Sequence, residues 1–142
     1  MTNDAPLGKS ALAGLAAFLP IFEAPGFEIG QWSEPKSSEP GVFVMPFFML
    51  SSEGSAFHQA LYDLGWIRAN CTWGEWKQTP EAIRLRDDPA AVANATPDQL
   101  AKLLTTIARG ERFCEGTLKD CHESGLLVGI LRRARTLCDG QH

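Results

Sequence analysis

The chain has 142 residues, of which 44% are apolar and 21% are charged, and this composition excludes disordered, collagen-like and coiled-coil proteins. Its 13 basic and 17 acidic side chains leave a net charge of -4, which excludes a general electrostatic attraction to nucleic acid or to an anionic membrane. A chain of this length can bury one hydrophobic core without a metal or a disulfide. We therefore expect a single domain over residues 1–142, with flexible ends at residues 1–9 and 139–142.

Two features of the sequence bear on the cellular compartment. The chain contains no run of 18 apolar residues, which predicts that it has no transmembrane helix. Its opening segment lacks the basic start and the small-residue cleavage site of a signal peptide. We therefore expect a cytoplasmic protein that does not associate with membranes.

The cysteines are widely spaced and lie within apolar patterns. They are Cys71, Cys114, Cys121 and Cys138. In a reducing compartment this pattern predicts buried free thiols rather than disulfides. Structural zinc sites use closely spaced ligand pairs, whereas the only close neighbours here, Cys121 and His122, point about 100° apart on a helix. The sequence predicts neither a metal site nor a cofactor.

The N-terminal half begins with a helix that is followed by a pair of strands. Leucines recur at helical spacing at Leu12, Leu15 and Leu19. Pro20 ends or kinks the helix that they define. Residues 27–32 alternate weakly and residues 42–50 form a continuous apolar run, so we expect two antiparallel strands. Pro46 cannot donate to a strand ladder, which restricts part of the second strand to an edge or a bulge.

A second helix is predicted from Ser55 by apolar side chains that share one face. They are Phe57, Ala60, Leu61 and Leu64. Gly65 is a natural left-handed helix end, after which Trp66 should fold back on Leu61. Residues 66–71 then fit a third short strand.

The C-terminal half predicts helices with clear starting points. Thr72 is followed three residues later by Glu75, which is a capping-box pattern. Further starts combine a capping residue with proline at the first helical position, at Thr79-Pro80, Asp88-Pro89 and Thr96-Pro97. The last of them carries Gln99 and a full apolar stripe up to Gly110. The remaining predicted helices cover residues 111–124 and 126–137.

These elements together predict an α+β fold. We expect a mostly helical single domain in which a small two- or three-stranded antiparallel sheet packs against the first helix and against a C-terminal helical bundle.

Trp73 and Trp76 form an aromatic cluster, with Trp66 close by. Aromatic side chains dominate protein cores as well as interfaces. Two interpretations therefore stay open, a core-facing helix surface and the wall of a ligand pocket. We take Trp73 and Trp76 as candidate binding residues.

Four charged residues are candidates for catalysis. They are Glu75, Arg112, Glu115 and Glu123. Glu75 and Lys77 match the ExK end of a metal-dependent nuclease signature, but that signature belongs on a strand and a helix start is predicted here. The other three, with His122 nearby, allow general acid and base chemistry. The alternative for them is a structural ion-pair network at a helix corner, because buried charges must be paired.

The segment from 101 to 138 holds seven basic groups against four acidic ones, so any anion-binding surface belongs here. The candidate binding residues are Arg109, Arg112, Arg132 and Arg133. A solvated helix surface and an acidic or nucleic-acid partner are both open interpretations. This small excess neutralises few phosphates, so we expect no strong sequence-specific DNA binding.

Several short strings in the sequence resemble one family. They are FLPIFEAPGFEIGQW, WGEW, RFCEG, and ESG followed by ILRR. Together they resemble the uncharacterised bacterial family known as domain of unknown function 6508, from about Leu12 to Leu137. The resemblance implies a small, stand-alone bacterial protein, and it assigns no activity, cofactor or catalytic residue.

The sequence carries no glycine-rich phosphate loop and no GxSxG, HExxH or paired CxxC motif. We therefore expect a binding module without catalysis, an adaptor or inhibitor that acts on a protein or nucleoprotein partner. A phage or mobile-element inhibitor of a bacterial defence system is one concrete form of it. The alternative is a small hydrolase or nuclease that uses the glutamate and arginine candidates.

Overall fold

The structure, a computed structural model, describes residues 8–32, 41, 48–68, 72–111, 114 and 116–140. In chain order its elements are α1 (Lys9–Ala16), α2 (Leu19–Phe22), β1 (Gly30–Trp32), β2 (Phe48–Leu50), α3 (Ser52–Asp63), α4 (Trp73–Trp76), α5 (Pro80–Asp87), α6 (Pro89–Ala93), α7 (Pro97–Glu111), α8 (Thr117–Glu123) and α9 (Leu126–Gly140). The fold is α+β and mostly helical, as predicted. The predictions for Pro46, Cys71, Arg112 and Glu115 fall outside the described residues.

The predicted first helix is divided into two. Leu12, Leu15 and Leu19 are buried as expected, but α1 ends at Ala16 and Leu19 begins α2. Pro20 lies in the first turn of α2, where a backbone N–H has no partner within the helix in any case. Pro20 therefore helps to start a second helix instead of kinking the first.

Two antiparallel strands form the sheet in the part of the chain that the structure describes. Their paired residues are Gly30 with Leu50, Gln31 with Met49, and Trp32 with Phe48. Residues 27–29 precede β1 without joining it, and positions 42–47 of the predicted second strand are not among the described residues. The sheet contacts α3, and Trp32 packs over Gly116 just before α8. The sheet thus lies between α3 and the residue that precedes α8.

The junction between the sheet and α3 depends on Gly54. A Cβ atom at this position would lie 2.2 Å from the carbonyl oxygen of Ile29, so only glycine allows so close an approach. Ser51 caps α3 by accepting the Gly54 N–H at 3.0 Å, and its hydroxyl donates to the same Ile29 carbonyl at 3.0 Å. These bonds hold the start of α3 against the residue that precedes β1.

The end of α3 has the predicted form. Gly65 has a φ of 86°, in the left-handed region. The Trp66 N–H donates to the Leu61 carbonyl at 2.9 Å and the Gly65 N–H donates to the Tyr62 carbonyl at 3.2 Å, which are the two bonds of a Schellman ending. Trp66 is fully buried, and its indole N–H donates to the Ala11 carbonyl at 3.2 Å. The fold-back of Trp66 on Leu61 is therefore confirmed.

The prediction of a third strand is wrong for residues 66–68, and residues 69–71 are not described. The Arg68 N–H donates to the side-chain oxygen of Thr105 at 2.9 Å instead of to a neighbouring strand. Thr105 is buried on α7. A side chain of α7 therefore holds this segment in place. The local sequence that suggested a strand gives no sign of such a contact.

Most predicted helix starts of the C-terminal half are confirmed. Thr79 and Asp88, each followed by proline, cap α5 and α6 by accepting a backbone N–H. Thr96 and Gln99 form the full capping box before α7, with bonds of 3.1 and 2.9 Å in the two directions. Thr72 precedes α4, but its side chain caps no N–H, so the capping box predicted for it does not form.

The helix predicted over residues 111–124 is wrong at its start. Glu111 belongs to the end of α7, and α8 begins only at Thr117, after Gly116 with a φ of 94°. The carboxylate of Glu111 accepts the Gly116 N–H at 2.7 Å and the Leu118 N–H at 3.0 Å. It therefore caps the N-terminus of α8, whose first N–H groups have no partner within the helix.

One hydrophobic core connects the helices, and α9 packs against α1, α6 and α8 within it. The stripe predicted on α9 is buried at Leu127, Ile130, Leu131 and Ala134. Lys9 and residues 139–140, which were expected in flexible ends, belong to α1 and α9. Within the described ranges, no helix combines the length and the apolar character that crossing a membrane requires.

Candidate functional site

A single carboxylate links three helices beside Trp76. The indole N–H of Trp76 donates to Oε1 of Glu81 at 2.8 Å, and the side-chain amide of Gln99 donates to Oε2 at 3.2 Å. Gln99 also caps α7, because its own Oε1 accepts the Thr96 N–H. Glu81 thus joins α4, α5 and α7. Sequence reasoning missed it, although an acidic residue in the first turn after Thr79-Pro80 is a readable signal.

The same bonds keep Glu81 ionised. The bond from Trp76 has the largest effect and the bond from Gln99 the next, and together they lower the pKa of Glu81 below its ordinary value of 4.5. Burial opposes this shift, whereas Lys102 and Arg84 lower the pKa further. A carboxyl group with a lowered pKa is a poor proton donor near neutral pH. Glu81 therefore positions Trp76 and is unsuited to acid catalysis.

The tryptophans that the sequence places close together lie in different environments. Trp66 is fully buried in the core. Trp73 and Trp76 lie at the two ends of α4 and are both half-buried, with the Lys77 ammonium 5.4 Å from a ring centroid of Trp73. Trp76 packs against the core with part of its surface and lines an open groove with another part.

We name this depression the Trp76 groove, and its volume is about 130 Å³. It lies between α4, α5, α7 and α8 and the start of α9. Its apolar lining consists of Trp76, Ala82, Leu103, Ile107, Cys121 and Leu126. Its polar lining consists of Lys77, Arg86, Thr106 and Thr117. Among the described residues, the lining thus includes two cations and no carboxylate.

The catalytic candidates that the structure describes do not meet. Glu75 is exposed on α4. Glu123 is exposed on α8, where its carboxylate pairs with Lys119 four residues earlier. The cleft beside Glu123 is lined by residues 26–29 and by α8, and its described lining includes no residue of α4. These two carboxylates therefore do not form a pair for acid and base catalysis.

His122 lies in the cleft beside Glu123, but the fold holds its ring in place. The ring makes edge contacts with Phe22 and Phe27, at centroid distances of 5.6 and 5.3 Å. Its Nε2 lies 3.1 Å from the Phe22 carbonyl, and because a carbonyl only accepts, Nε2 is the donor. Glu28 and Glu123, which line the same cleft, bond to side chains a few residues away in their own segments.

The candidate arginines on α9 connect this helix to other segments. Arg132 is exposed and donates to the carboxylate of Glu23, which follows α2. The Nε of Arg133 donates to the Ala95 carbonyl at 2.8 Å. Arg109 lies half-buried near the end of α7. Arg132 and Arg133 thus have structural contacts within the fold.

The described cysteines differ in exposure. Cys114 is exposed, so the prediction of a buried thiol is wrong for it, because it lies in the turn before α8 and not on a helix face. Cys121 and Cys138 are half-buried against the core. Burial raises the pKa of the Cys121 thiol to about 11, with smaller contributions from nearby carboxylates. Over the same described ranges, no group of three or more His, Cys, Asp and Glu side chains is arranged to hold a metal ion.

Comparison with known proteins shows the family of the chain but no individual relative. Neither the curated proteins nor the solved structures provide a match to the chain. The family of unknown function DUF6508 matches residues 7–140, a range that contains every helix and strand described above. The chain therefore belongs to the family of unknown function DUF6508.

Proposed function

We propose that the protein is a non-catalytic interaction module, an adaptor or inhibitor that binds a protein or nucleoprotein partner in the bacterial cytoplasm. The observation that carries this proposal is the separation of Glu75 and Glu123, the two catalytic candidates that the structure describes. Glu75 and Glu123 are exposed on different helices, and Glu123 pairs with Lys119. An active site requires such groups to converge in one concave pocket, within hydrogen-bond reach of each other.

The contacts of the two candidate arginines on α9 count against a nucleic-acid-binding surface on that helix. Arg132 and Arg133 hold α9 to Glu23 and to the Ala95 carbonyl. A side chain that joins two segments in this way has a structural reason to be present. With a net charge of -4, the chain also offers little general attraction to phosphates, so we expect no strong sequence-specific DNA binding.

The experiment that tests the proposal is affinity capture from an extract of the native host, followed by calorimetry with the purified partner. We expect a stoichiometric complex with a Kd below about 1 µM. A Glu75→Ala/Glu123→Ala double variant should bind with the same Kd, because both carboxylates are exposed and neither lines the Trp76 groove. A defence protein among the captured partners would fit the counter-defence form of the proposal.

The alternative of a hydrolase or nuclease gives a different result in the same experiment. The wild-type protein would then turn over ester, peptide or nucleic-acid substrates, and the double variant would lose this activity while keeping its melting temperature. That outcome would replace the proposal.

A further inference from the structure

We infer that the Trp76 groove binds a short acidic peptide segment of the partner that carries a large apolar side chain. This inference rests on the proposed function and names the part of the partner that is recognised.

The shape of the groove suits an apolar anchor. Trp76 on α4, Leu103 on α7 and Leu126 at the start of α9 form its walls. The hydrogen bond from the indole N–H to Glu81 fixes the Trp76 ring before anything binds. A wall that is already ordered lowers the entropy cost of binding, and buried apolar anchors supply most of the binding energy at protein interfaces.

The positive charge of the groove lining favours a peptide segment with acidic side chains. Lys77 and Arg86 both line it, and its described lining includes no carboxylate, although the whole chain carries a net charge of -4. Arg86 bonds Asp87 through its Nε, and because this pair is 54% and 62% exposed, its net strength is small. Because the bond to Asp87 uses only the Nε, the terminal guanidinium nitrogens can donate to a carboxylate of a ligand. An acidic residue beside the anchor would thus meet two cations.

A second depression extends the groove and favours a peptide over a small molecule. It shares Arg86 and Leu126 with the Trp76 groove, continues to Pro89 and to the turn before α9, and has a volume of about 220 Å³. Its lining also includes one carboxylate, that of Asp87, which accepts a hydrogen bond from the Nε of Arg86. Two adjoining depressions with an arginine between them fit an extended chain, in which successive side chains occupy successive pockets.

The test uses the full chain and three synthetic pentapeptides. They are acetyl-Glu-Phe-Asp-Leu-Glu-amide, a second peptide with lysine at each acidic position, and a third with alanine at the two apolar positions. Binding is followed by NMR through the indole N–H resonance of Trp76, which a Trp76→Phe variant assigns. We expect the first peptide to shift this resonance saturably, and the other two to bind at least about tenfold more weakly.

Two pairs of variants locate the binding in the groove. Arg86→Gln should weaken the acidic peptide about fivefold, whereas the control Arg84→Gln, on the same helix but lining a different depression, should leave its Kd unchanged. Thr106→Phe fills the groove and should abolish binding, whereas Thr106→Val keeps the size of the side chain and should preserve it. Circular dichroism confirms folding, and if Thr106→Phe does not fold, the arginine pair decides.

Equal affinity for the acidic and the lysine peptides overturns the inference. A Trp76 indole resonance that no peptide shifts also overturns it. So does an equal loss of affinity for the acidic peptide in Arg86→Gln and Arg84→Gln. A captured partner that binds Thr106→Phe as tightly as Thr106→Val overturns the groove assignment and leaves the interaction module standing. The reverse result, binding of the acidic peptide without any captured partner, counts against the proposed function and leaves the groove assignment in place.

Discussion

Two side chains beside the Trp76 groove determine what the groove can do. Glu81 holds the indole of Trp76 through a bond of 2.8 Å and stays ionised, because its pKa is lowered by the bonds it accepts. Cys121 lines the groove with a thiol that stays protonated, because burial raises its pKa to about 11. A protonated thiol is a weak nucleophile. At this scale the groove has a fixed aromatic wall and no activated nucleophile among its described residues.

Replacing Glu81 by alanine should lower the free energy of unfolding by about 1–2 kcal/mol near neutral pH, because two donors lose a charged acceptor. Since the folded-state pKa of Glu81 lies below 4.5, this stabilisation is present above 4.5 and is lost as the pH falls through the lowered folded pKa. Urea titrations of both proteins from about pH 6 to about pH 2 measure the difference. A difference that stays constant down to the lowest pH contradicts the assigned role.

Native-state maleimide labelling should modify Cys114 quickly and Cys121 slowly. Cys114 is exposed, whereas Cys121 is half-buried with a pKa of about 11 in place of 9.0, which reduces its thiolate fraction about a hundredfold. Peptide mass spectrometry at timed intervals measures the two rates, and labelling in guanidinium serves as the control in which they become equal. Equal rates in the native protein would show that the burial of Cys121 is wrong.

At the scale of the elements, two close junctions between segments hold the fold together. Gly54 lets α3 approach the carbonyl of Ile29, and Glu111 at the end of α7 caps the start of α8. The first junction requires a residue without a Cβ atom, because the two backbones lie so close together. The second requires an acceptor for backbone N–H groups that have no partner within α8. Each junction can therefore be tested with a single substitution, at Gly54 for the first and at Glu111 for the second.

Gly54→Ala should destabilise the protein by about 2–3 kcal/mol, because the added Cβ would lie 2.2 Å from a backbone oxygen that cannot move freely. The matched control is Gly74→Ala on α4, where a Cβ meets nothing within 4 Å. There the better helix propensity of alanine should leave stability unchanged or raise it by up to about 1 kcal/mol. Chemical denaturation measures both variants, and equal effects would disprove the close approach of α3.

Glu111→Ala should lower stability by about 1–2 kcal/mol, because the Gly116 and Leu118 N–H groups lose their acceptor. Glu123→Ala on α8, the helix that Glu111 caps, removes only an exposed pair with Lys119 and should cost under about 0.5 kcal/mol. Hydrogen exchange at the Gly116 and Leu118 amides should accelerate in the first variant alone. If both variants lose the same stability, Glu111 is not the cap.

At the scale of the whole molecule, the features predicted correctly are those that depend on residues a few positions apart. The caps at Thr79, Asp88 and Thr96 involve partners within three residues, so their chemistry is visible in the sequence. The third strand was predicted wrongly because the Arg68 N–H bonds Thr105, 37 residues away. Such a long-range contact leaves no local pattern.

The candidate site was predicted only in part. For Trp76 the sequence left a core-facing surface and a pocket wall open, and the side chain both packs against the core and lines the groove. The sequence analysis did not identify Glu81, the acceptor that holds the Trp76 indole. The predicted helix over residues 111–124 placed Cys114 on a helix face. Because Glu111 ends α7 and α8 starts at Thr117, that premise fails.

The protein is proposed to bind its partner without changing it covalently, and native mass spectrometry of the protein mixed with its captured partner tests this most directly. We predict a complex whose mass equals that of the two unmodified components, with the partner recovered at its original mass after dissociation. A partner whose mass changes in the presence of the wild-type protein, and does not change with Glu75→Ala/Glu123→Ala, would contradict a function based on binding alone.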